Sequence, residues 1–446
     1  MSARGRMIGS LIVIFAIAAA TGTTLYVEGP GPTDFSGGPK VALADYKDTN
    51  PTGVPAKLTQ ASLIERGAYL ARAADCMVCH TAQGGKDYAG GFPFKLPFGT
   101  LYSTNITPDK DTGIGNYSDE DFLNAMHRGI RRDGQRLYPA MPYTSYTYMT
   151  DADALAIKAY LFSLDPVRAE IPKNTLAFPF NQRWGMAFWS ALFNPDKRFT
   201  PDTAQSAEWN RGAYIAEALA HCGECHTPRN LAFALDNRQK FGGALTGGWR
   251  AYNISSDKST GVGSWSKDDL ISYLSTGHAA GHGSASGPMG EAVLHSFSKM
   301  TPEDIGALAT YLRTVPAVAS NDPSTRAPAA PASYKDGGGT SNATGAMVFA
   351  GSCVSCHSWS GESGLSPFAT LTGARTVNDP KAINVVQVVL NGNKAASGAL
   401  SMPAFGGSHS DEEIAAVANY VTARFGAKGS QVTAQDVAEL RKQTAQ

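Results

Sequence analysis

Spare cysteine is missing from this chain. Of 446 residues only six are cysteine, and all six fall in three C-x-x-C pairs: Cys76 and Cys79, Cys222 and Cys225, Cys353 and Cys356. None is left for a disulfide framework or an iron–sulfur cluster. Net charge is missing too, with 38 Lys and Arg against 38 Asp and Glu. That balance implies neither nucleic acid nor a strongly charged partner. No G-x-G-x-x-G fingerprint and no Walker A loop occurs, so no hydride-carrying dinucleotide site and no phosphate cradle is visible. Finally, no charged residue interrupts "MIGSLIVIFAIAAATGTTLYV" from Met7 to Val27.

What is present is a histidine after every pair: His80, His226 and His357. With 9 histidines in the chain, three such neighbours by chance have odds on the order of one in a hundred thousand. A zinc site or a thioredoxin-like pair needs no such adjacency. Covalent attachment of c-type haem does, because the two thiols add to vinyl groups and the next side chain reaches the iron. The motifs therefore predict three haem c groups, with His80, His226 and His357 as proximal ligands. His221, in "HCGECH", stands outside the motif as a surface or packing residue.

An internal repeat organises the chain. "RGAYLARAADCMVCH" from Arg66 parallels "RGAYIAEALAHCGECH" from Arg211, and an offset of 148 carries Asn105-Ile106 onto Asn253-Ile254, Thr112-Gly113 onto Thr260-Gly261 and Gly129 onto Gly277. Closing helices follow. Thr301-Pro302 reads as an N-cap with proline at the first helical position, and Ser410 to Glu413 as a capping box. Behind them, Ile305, Leu308, Ala309 and Leu312, and likewise Ile414, Val417, Ala418 and Val421, form the stripe of a buried helix face. Ala154, Ile157, Lys158 and Leu161 repeat it more weakly, and Tyr160, Tyr311 and Tyr420 hold one place in each.

The expected class is all-α, with three tandem haem domains at 58–178, 201–315 and 341–428. An aromatic connector (179–200) and a Pro/Ala/Gly linker (316–340) separate them, and a tail (429–446) follows. Poor folding without haem is expected of domains this small. Residues 1–30 read as a retained membrane anchor behind Arg4 and Arg6; a cleaved secretory signal is the alternative. The apolar run would extend ~31 Å as a helix. Either reading places the rest of the chain outside the cytoplasmic membrane.

Distal iron ligands decide between electron transfer and chemistry on an open iron. Met141 and Met289 share the 148-residue register, both sit beside proline, and Met402 alone follows the third motif. Their proline neighbours suit irregular loops over a haem face. His278 and His282, in "GHAAGHG", are rivals, but the surrounding glycines argue against a shared helix face and suggest exposed loop histidines. "FPFNQRWGMAFWSALFNP", from Phe178, reads as a packed connector, with a docking or membrane-contacting surface as the alternative.

The series "YSTNITPDKDTGIG", "YPAMPY", "AHCGECHTPRN", "GPMGEAV" and "MPAFG", set among three C-x-x-C-H motifs, closely resembles the three-haem cytochrome c subunits of membrane-bound dehydrogenases in acetic acid bacteria and relatives. The resemblance covers nearly all of the chain from Arg66. It implies a large periplasmic dehydrogenase subunit of flavin, pyrroloquinoline quinone or molybdopterin type as electron donor, ubiquinone in the cytoplasmic membrane as acceptor, and no substrate oxidation by this chain itself. A self-contained multihaem peroxidase or reductase, and a carrier to a terminal oxidase, are the competing readings.

Overall fold

A computed structural model describes residues 61–320, 322, 342–394 and 401–444. The apolar segment at 1–30 and most of the 316–340 linker lie outside the described residues. Among the described residues no helix is long and apolar enough to cross a membrane.

The first repeat comprises α1 (Leu63–Ala73), the four-residue α2 (Cys76–Cys79), a ribbon of β1 (Pro93–Leu96) and β2 (Gly99–Tyr102), then α3 (Asp119–Arg128), α4 (Tyr143–Tyr146) and α5 (Asp151–Phe162). Helix α6 (Gly185–Phe193) lies in the connector. The second repeat runs α7 (Ala207–Tyr214), α8 (Gly223–His226), ribbon β3 (Ala244–Thr246) and β4 (Trp249–Ala251), α9 (Lys267–Thr276), ribbon β5 (His278–Ala279) and β6 (Gly283–Ser284), α10 (Gly287–His295) and α11 (Pro302–Leu312). The third has α12 (Ala343–Val348), α13 (Val354–His357), α14 (Ile383–Asn391), α15 (Asp411–Phe425) and α16 (Ala434–Thr444). All three ribbons are antiparallel.

In each repeat the opening helix crosses the closing one at a glycine. A Cβ on Gly67 would stand 1.9 Å from the Ala156 carbonyl oxygen, on Gly212 2.0 Å from that of Ala307, and on Gly345 2.3 Å from that of Ala416. Only a residue without a side chain lets α1 and α5, α7 and α11, and α12 and α15 approach so closely. Local sequence fixes the helix starts. Ser62 with Glu65, Ser118 with Asp121, Ser266 with Asp269 and Ser410 with Glu413 form reciprocal capping boxes, and Thr301 caps α11 ahead of Pro302. Each box satisfies two backbone donors that the first helical turn leaves open. The apolar stripes on α11 and α15 are buried as their spacing predicts. On α5, Lys158 turns outward to Asp119 at 2.6 Å and lies over the Phe162 ring.

The first two repeats share one apolar core, while the third has its own. A reciprocal latch joins the first pair. The Tyr69 hydroxyl donates to Asp304 at 2.6 Å, and the Tyr214 hydroxyl donates to Asp153 at 2.6 Å. Each carboxylate also holds the arginine of its own repeat: Arg211 with Asp304 through two 2.7 Å bonds, and Arg66 with Asp153. Each tyrosine oxygen accepts the N-cap amide of the other repeat, from Thr301 and from Thr150, both at 3.2 Å. Burial, followed by the facing carboxylate, pushes both phenols above their ordinary range, so they remain donors. The third repeat joins the second through Asn384 with Arg250, Gln387 with the Gly248 carbonyl and Asn393 with the Ala285 carbonyl.

Four expectations change. The fold is helix-rich rather than purely helical, because short glycine-bounded ribbons precede each domain's middle helix in the first two repeats. The described part of the tail, 429–444, is docked on the third domain: α16 packs on α14 and α15, with Val437 fully buried and Arg441 paired to Asp411 at 2.7 Å. His278 and His282 are not exposed loop residues. His278 pairs with Ser284 in the ribbon and His282 lies in its turn, stacked on Trp265 at 3.7 Å and 3.6 Å from Asp269. The aromatic connector is divided. Trp189 donates to the Ala232 carbonyl at 2.8 Å and Phe180 stacks on Phe98 at 4.0 Å, while Phe178, Trp184 and Phe188 are exposed.

Candidate haem-attachment sites

Each C-x-x-C-H sits at the end of its repeat's opening helix. In the second and third repeats a five-residue π-turn, Ile215–Leu219 or Phe349–Cys353, intervenes. Such widened turns often mark functional sites. In the first two repeats the residue before the leading cysteine turns left-handed, Asp75 at φ 54° and His221 at φ 39°. An aspartate tolerates this conformation better than a histidine does. The His221 ring meets Tyr146 edge-on at 5.5 Å, and the Tyr146 hydroxyl donates to the Ala74 carbonyl at 2.7 Å. His221 therefore packs between the first two repeats.

The three motif histidines share one arrangement. His80 Nδ1 lies 2.6 Å from the Thr104 carbonyl oxygen, His226 Nδ1 2.6 Å from that of Tyr252, and His357 Nδ1 2.6 Å from that of Ala369. A carbonyl only accepts, so Nδ1 carries the proton and Nε2 keeps its lone pair. Burial lowers all three imidazoles from their ordinary pKa, favouring that neutral form. A neutral imidazole oriented through Nδ1–H is the state in which Nε2 binds a metal.

Burial also pushes the cysteines up, Cys76, Cys79 and Cys222 to about 12 and Cys225 and Cys353 to about 11. These surroundings suit a neutral sulfur, as in a thioether, and disfavour the thiolates that zinc requires. Cys356 completes the third pair, and no cysteine is in a disulfide. Among the described residues no three His, Cys, Asp or Glu side chains converge as a metal cage. The donor set fits covalent haem.

The first two attachment loops face each other. Helix α10 packs on α2, and the thiol of Cys79 feels the neighbouring Cys225. Asp75 is pushed up to about 7, first by burial and then by Glu291 of α10.

Six methionines that follow the motifs fall into two sets. Met149 is fully enclosed and Met126 and Met300 are buried, as core residues are. Met141, Met289 and Met402 are only partly buried at the edges of the two cores. Met141 lies in the turn before α4 and Met402 in a bridge to Asn393, both irregular. Met289 departs from expectation. It is the third residue of α10, because Pro288 occupies the first turn, where its missing N–H costs nothing.

Sequence reasoning missed the carbonyl acceptors. The repeat offered a signal, since the offset of 148 that aligns Asn105 with Asn253 also aligns Thr104 with Tyr252. Beside them the duplication is close in detail: Asn105 Nδ2 donates to Thr112 Oγ1 (3.0 Å) and the Val167 carbonyl (2.7 Å), and Asn253 Nδ2 to Thr260 Oγ1 (3.0 Å) and the Val318 carbonyl (2.7 Å).

The chain is similar in sequence to known haem proteins. The cytochrome c family model matches residues 64–165, and that of cytochrome c oxidase, cbb3-type, subunit III matches 340–421. The fructose dehydrogenase cytochrome subunit of Gluconobacter japonicus is 40% identical over 88% of this chain and 86% of its own length. The gluconate 2-dehydrogenase cytochrome c subunit of Pantoea cypripedii is 40% identical over 85% and 90%. The cytochrome c subunit of alcohol dehydrogenase (quinone) from Gluconobacter oxydans is 37% identical over 85% and 82%.

Proposed function

The chain belongs to the cytochrome c subunits of dehydrogenase complexes, and from that premise we propose that it carries three covalent haems and relays electrons from a large periplasmic dehydrogenase subunit to membrane ubiquinone. The observation that carries this reading is the threefold recurrence of a C-x-x-C pair beside an imidazole held through Nδ1 by a backbone carbonyl. Haem supplies one-electron transfer when bound.

Cys76 and Cys79, Cys222 and Cys225, and Cys353 and Cys356 are the thioether positions, and His80, His226 and His357 present Nε2 to the iron. The carbonyls of Thr104, Tyr252 and Ala369 fix the tautomer and the ring plane, and strengthen Nε2 as a donor. Met141, Met289 and Met402 would supply the second iron ligands, a reading supported by their register, their partial burial and the enclosure of the competing methionines in protein core. His/Met ligation closes both faces of an iron and raises its potential, which suits transfer without substrate binding. The abutting first and second attachment loops favour exchange between those two sites. The quinone in the name of the alcohol dehydrogenase relative supports a quinone as acceptor, and the apolar run at 7–27 supports the periplasmic face of the cytoplasmic membrane as the location.

Purification from membranes in mild detergent, followed by addition of alcohols, aldehydes, sugars and sugar acids, tests the relay. Haem reduction is expected only in preparations containing a large dehydrogenase subunit. Reduction by such a substrate with the isolated chain would overturn the reading. For the ligands, Met141→Ala, Met289→Ala and Met402→Ala should each open one haem to carbon monoxide. Met149→Ala and Met300→Ala should leave all haems closed and instead cost about 2–5 kcal/mol of stability.

A further inference from the structure

The second and third repeats meet in a cluster that the attachment motifs do not use. Arg375 belongs to the third repeat, yet its guanidinium is 7% exposed and lies 4.6 Å over the ring of Tyr252 in the second. Its Nη1 donates to the Asn253 carbonyl at 3.2 Å and its Nη2 to the Thr260 carbonyl. Asp322, 3.7 Å away, already holds Arg250 and the Asn253 amide. Among the described residues, the Nε–H of Arg375 has no acceptor, and neither has the indole N–H of Trp265, a residue 6% exposed. The two donors share one corner. The Arg375 amide donates to the His282 carbonyl at 3.2 Å, and the His282 ring stacks on Trp265.

Buried donors are nearly always paired, so this corner calls for an acceptor. A guanidinium flanked by an N–H donor favours a carboxylate. The corner adjoins the second attachment site, because Tyr252 supplies both the ring beneath Arg375 and the carbonyl that holds His226. Haem brings two propionate carboxylates. The first repeat has no such device: in the 148-residue register Tyr117 stands at the place of Trp265 and Tyr102 at that of Arg250.

We propose that Arg375 of the third repeat and Trp265 of the second together bind a propionate of the second haem, so that this haem is held between two repeats and its potential is set partly by the third. The inference rests on the haem reading above. A cation beside the propionate stabilises the added electron, so the third repeat makes the second haem the better acceptor.

Potentiometric titration of the full three-haem chain tests this, with mass spectrometry confirming the haem count. In Arg375→Gln, one haem's reduced-to-oxidised ratio at fixed potential should fall about tenfold, equivalent to about 59 mV for one electron, while the other two hold. Arg375→Lys should recover much of the shift. Trp265→Phe, which keeps the charge, should move the propionate-bending band in the resonance Raman spectrum with a smaller change in potential, and it decides the matter if Arg375→Gln fails to mature. Three unchanged potentials and an unchanged propionate band in fully loaded variants would overturn the proposal. Haem missing from the wild-type Cys222/Cys225 pair would instead overturn the haem reading on which it rests.

Discussion

The first two repeats and the third hold their opening and closing helices alike and meet their neighbours differently. All three cross at a glycine and orient a histidine through a backbone carbonyl. Only the first two carry the Arg–Asp–Tyr latch. In the third, Thr344, Met347 and Glu413 take the places of arginine, tyrosine and aspartate, and Met347 is 67% exposed. The features beside the attachment site are thus repeated, whereas those that order one repeat against another have diverged. The first two behave as one body with one core, and the third is attached through polar side chains and the Arg375 corner.

The sharpest way to break this contrast is to remove the latch carboxylate. Asp304→Ala leaves Arg211, 1% exposed, without its charge partner, and should cost about 3–5 kcal/mol in denaturant unfolding. Glu413→Ala, at the equivalent place in the third repeat, loses a helix cap and an exposed contact with His409 at 3.4 Å, and should cost far less. Alanine at Gly67, Gly212 or Gly345 should by contrast hurt every repeat alike, by about 1–3 kcal/mol or more through overpacking; thermal unfolding and haem content both report it. A third contrast is acid sensitivity. Burial, then Arg198, lowers His127 to about 4 despite Asp151, and Ser275 stands at its place in the second repeat. A buried neutral histidine stabilises the fold above its ordinary pKa and loses that contribution as pH falls from about 6.5 toward 4. His127→Gln should therefore flatten the acid limb of a stability–pH curve, an effect on the order of 2 kcal/mol. Smallest, Tyr69→Phe and Tyr214→Phe should each cost about 1–2 kcal/mol, and similar losses from both would support the reciprocity of the latch.

Much of this was legible because it is local or periodic. The C-x-x-C-H triplets, the 148-residue register, the caps at Thr301 and Ser410 and the stripes on α11 and α15 all lie within a few residues or repeat at a fixed offset. What escaped notice depends on distance in the chain. Nothing near Tyr69 indicates that its hydroxyl meets Asp304, and nothing near Arg375 indicates that it lies on Tyr252. The ribbons were hidden because strands of two to four residues are too short to show alternation. Met289 looked like a loop residue because proline is read as a breaker, although proline is favoured in a helix's first turn. The docking of the tail was not legible because α16 is polar over most of its surface, and its anchors, Val437, Leu440 and the Arg441–Asp411 pair, are few and meet distant residues.

The central claim is that three separate sites each hold one covalent haem, and intact-mass measurement of the denatured, periplasmically matured chain tests it most directly. Three haem increments are expected in the wild type, and two in each of the variants C76A/C79A, C222A/C225A and C353A/C356A. One or two increments in the wild type, or a cysteine-pair variant that still carries three, would contradict it.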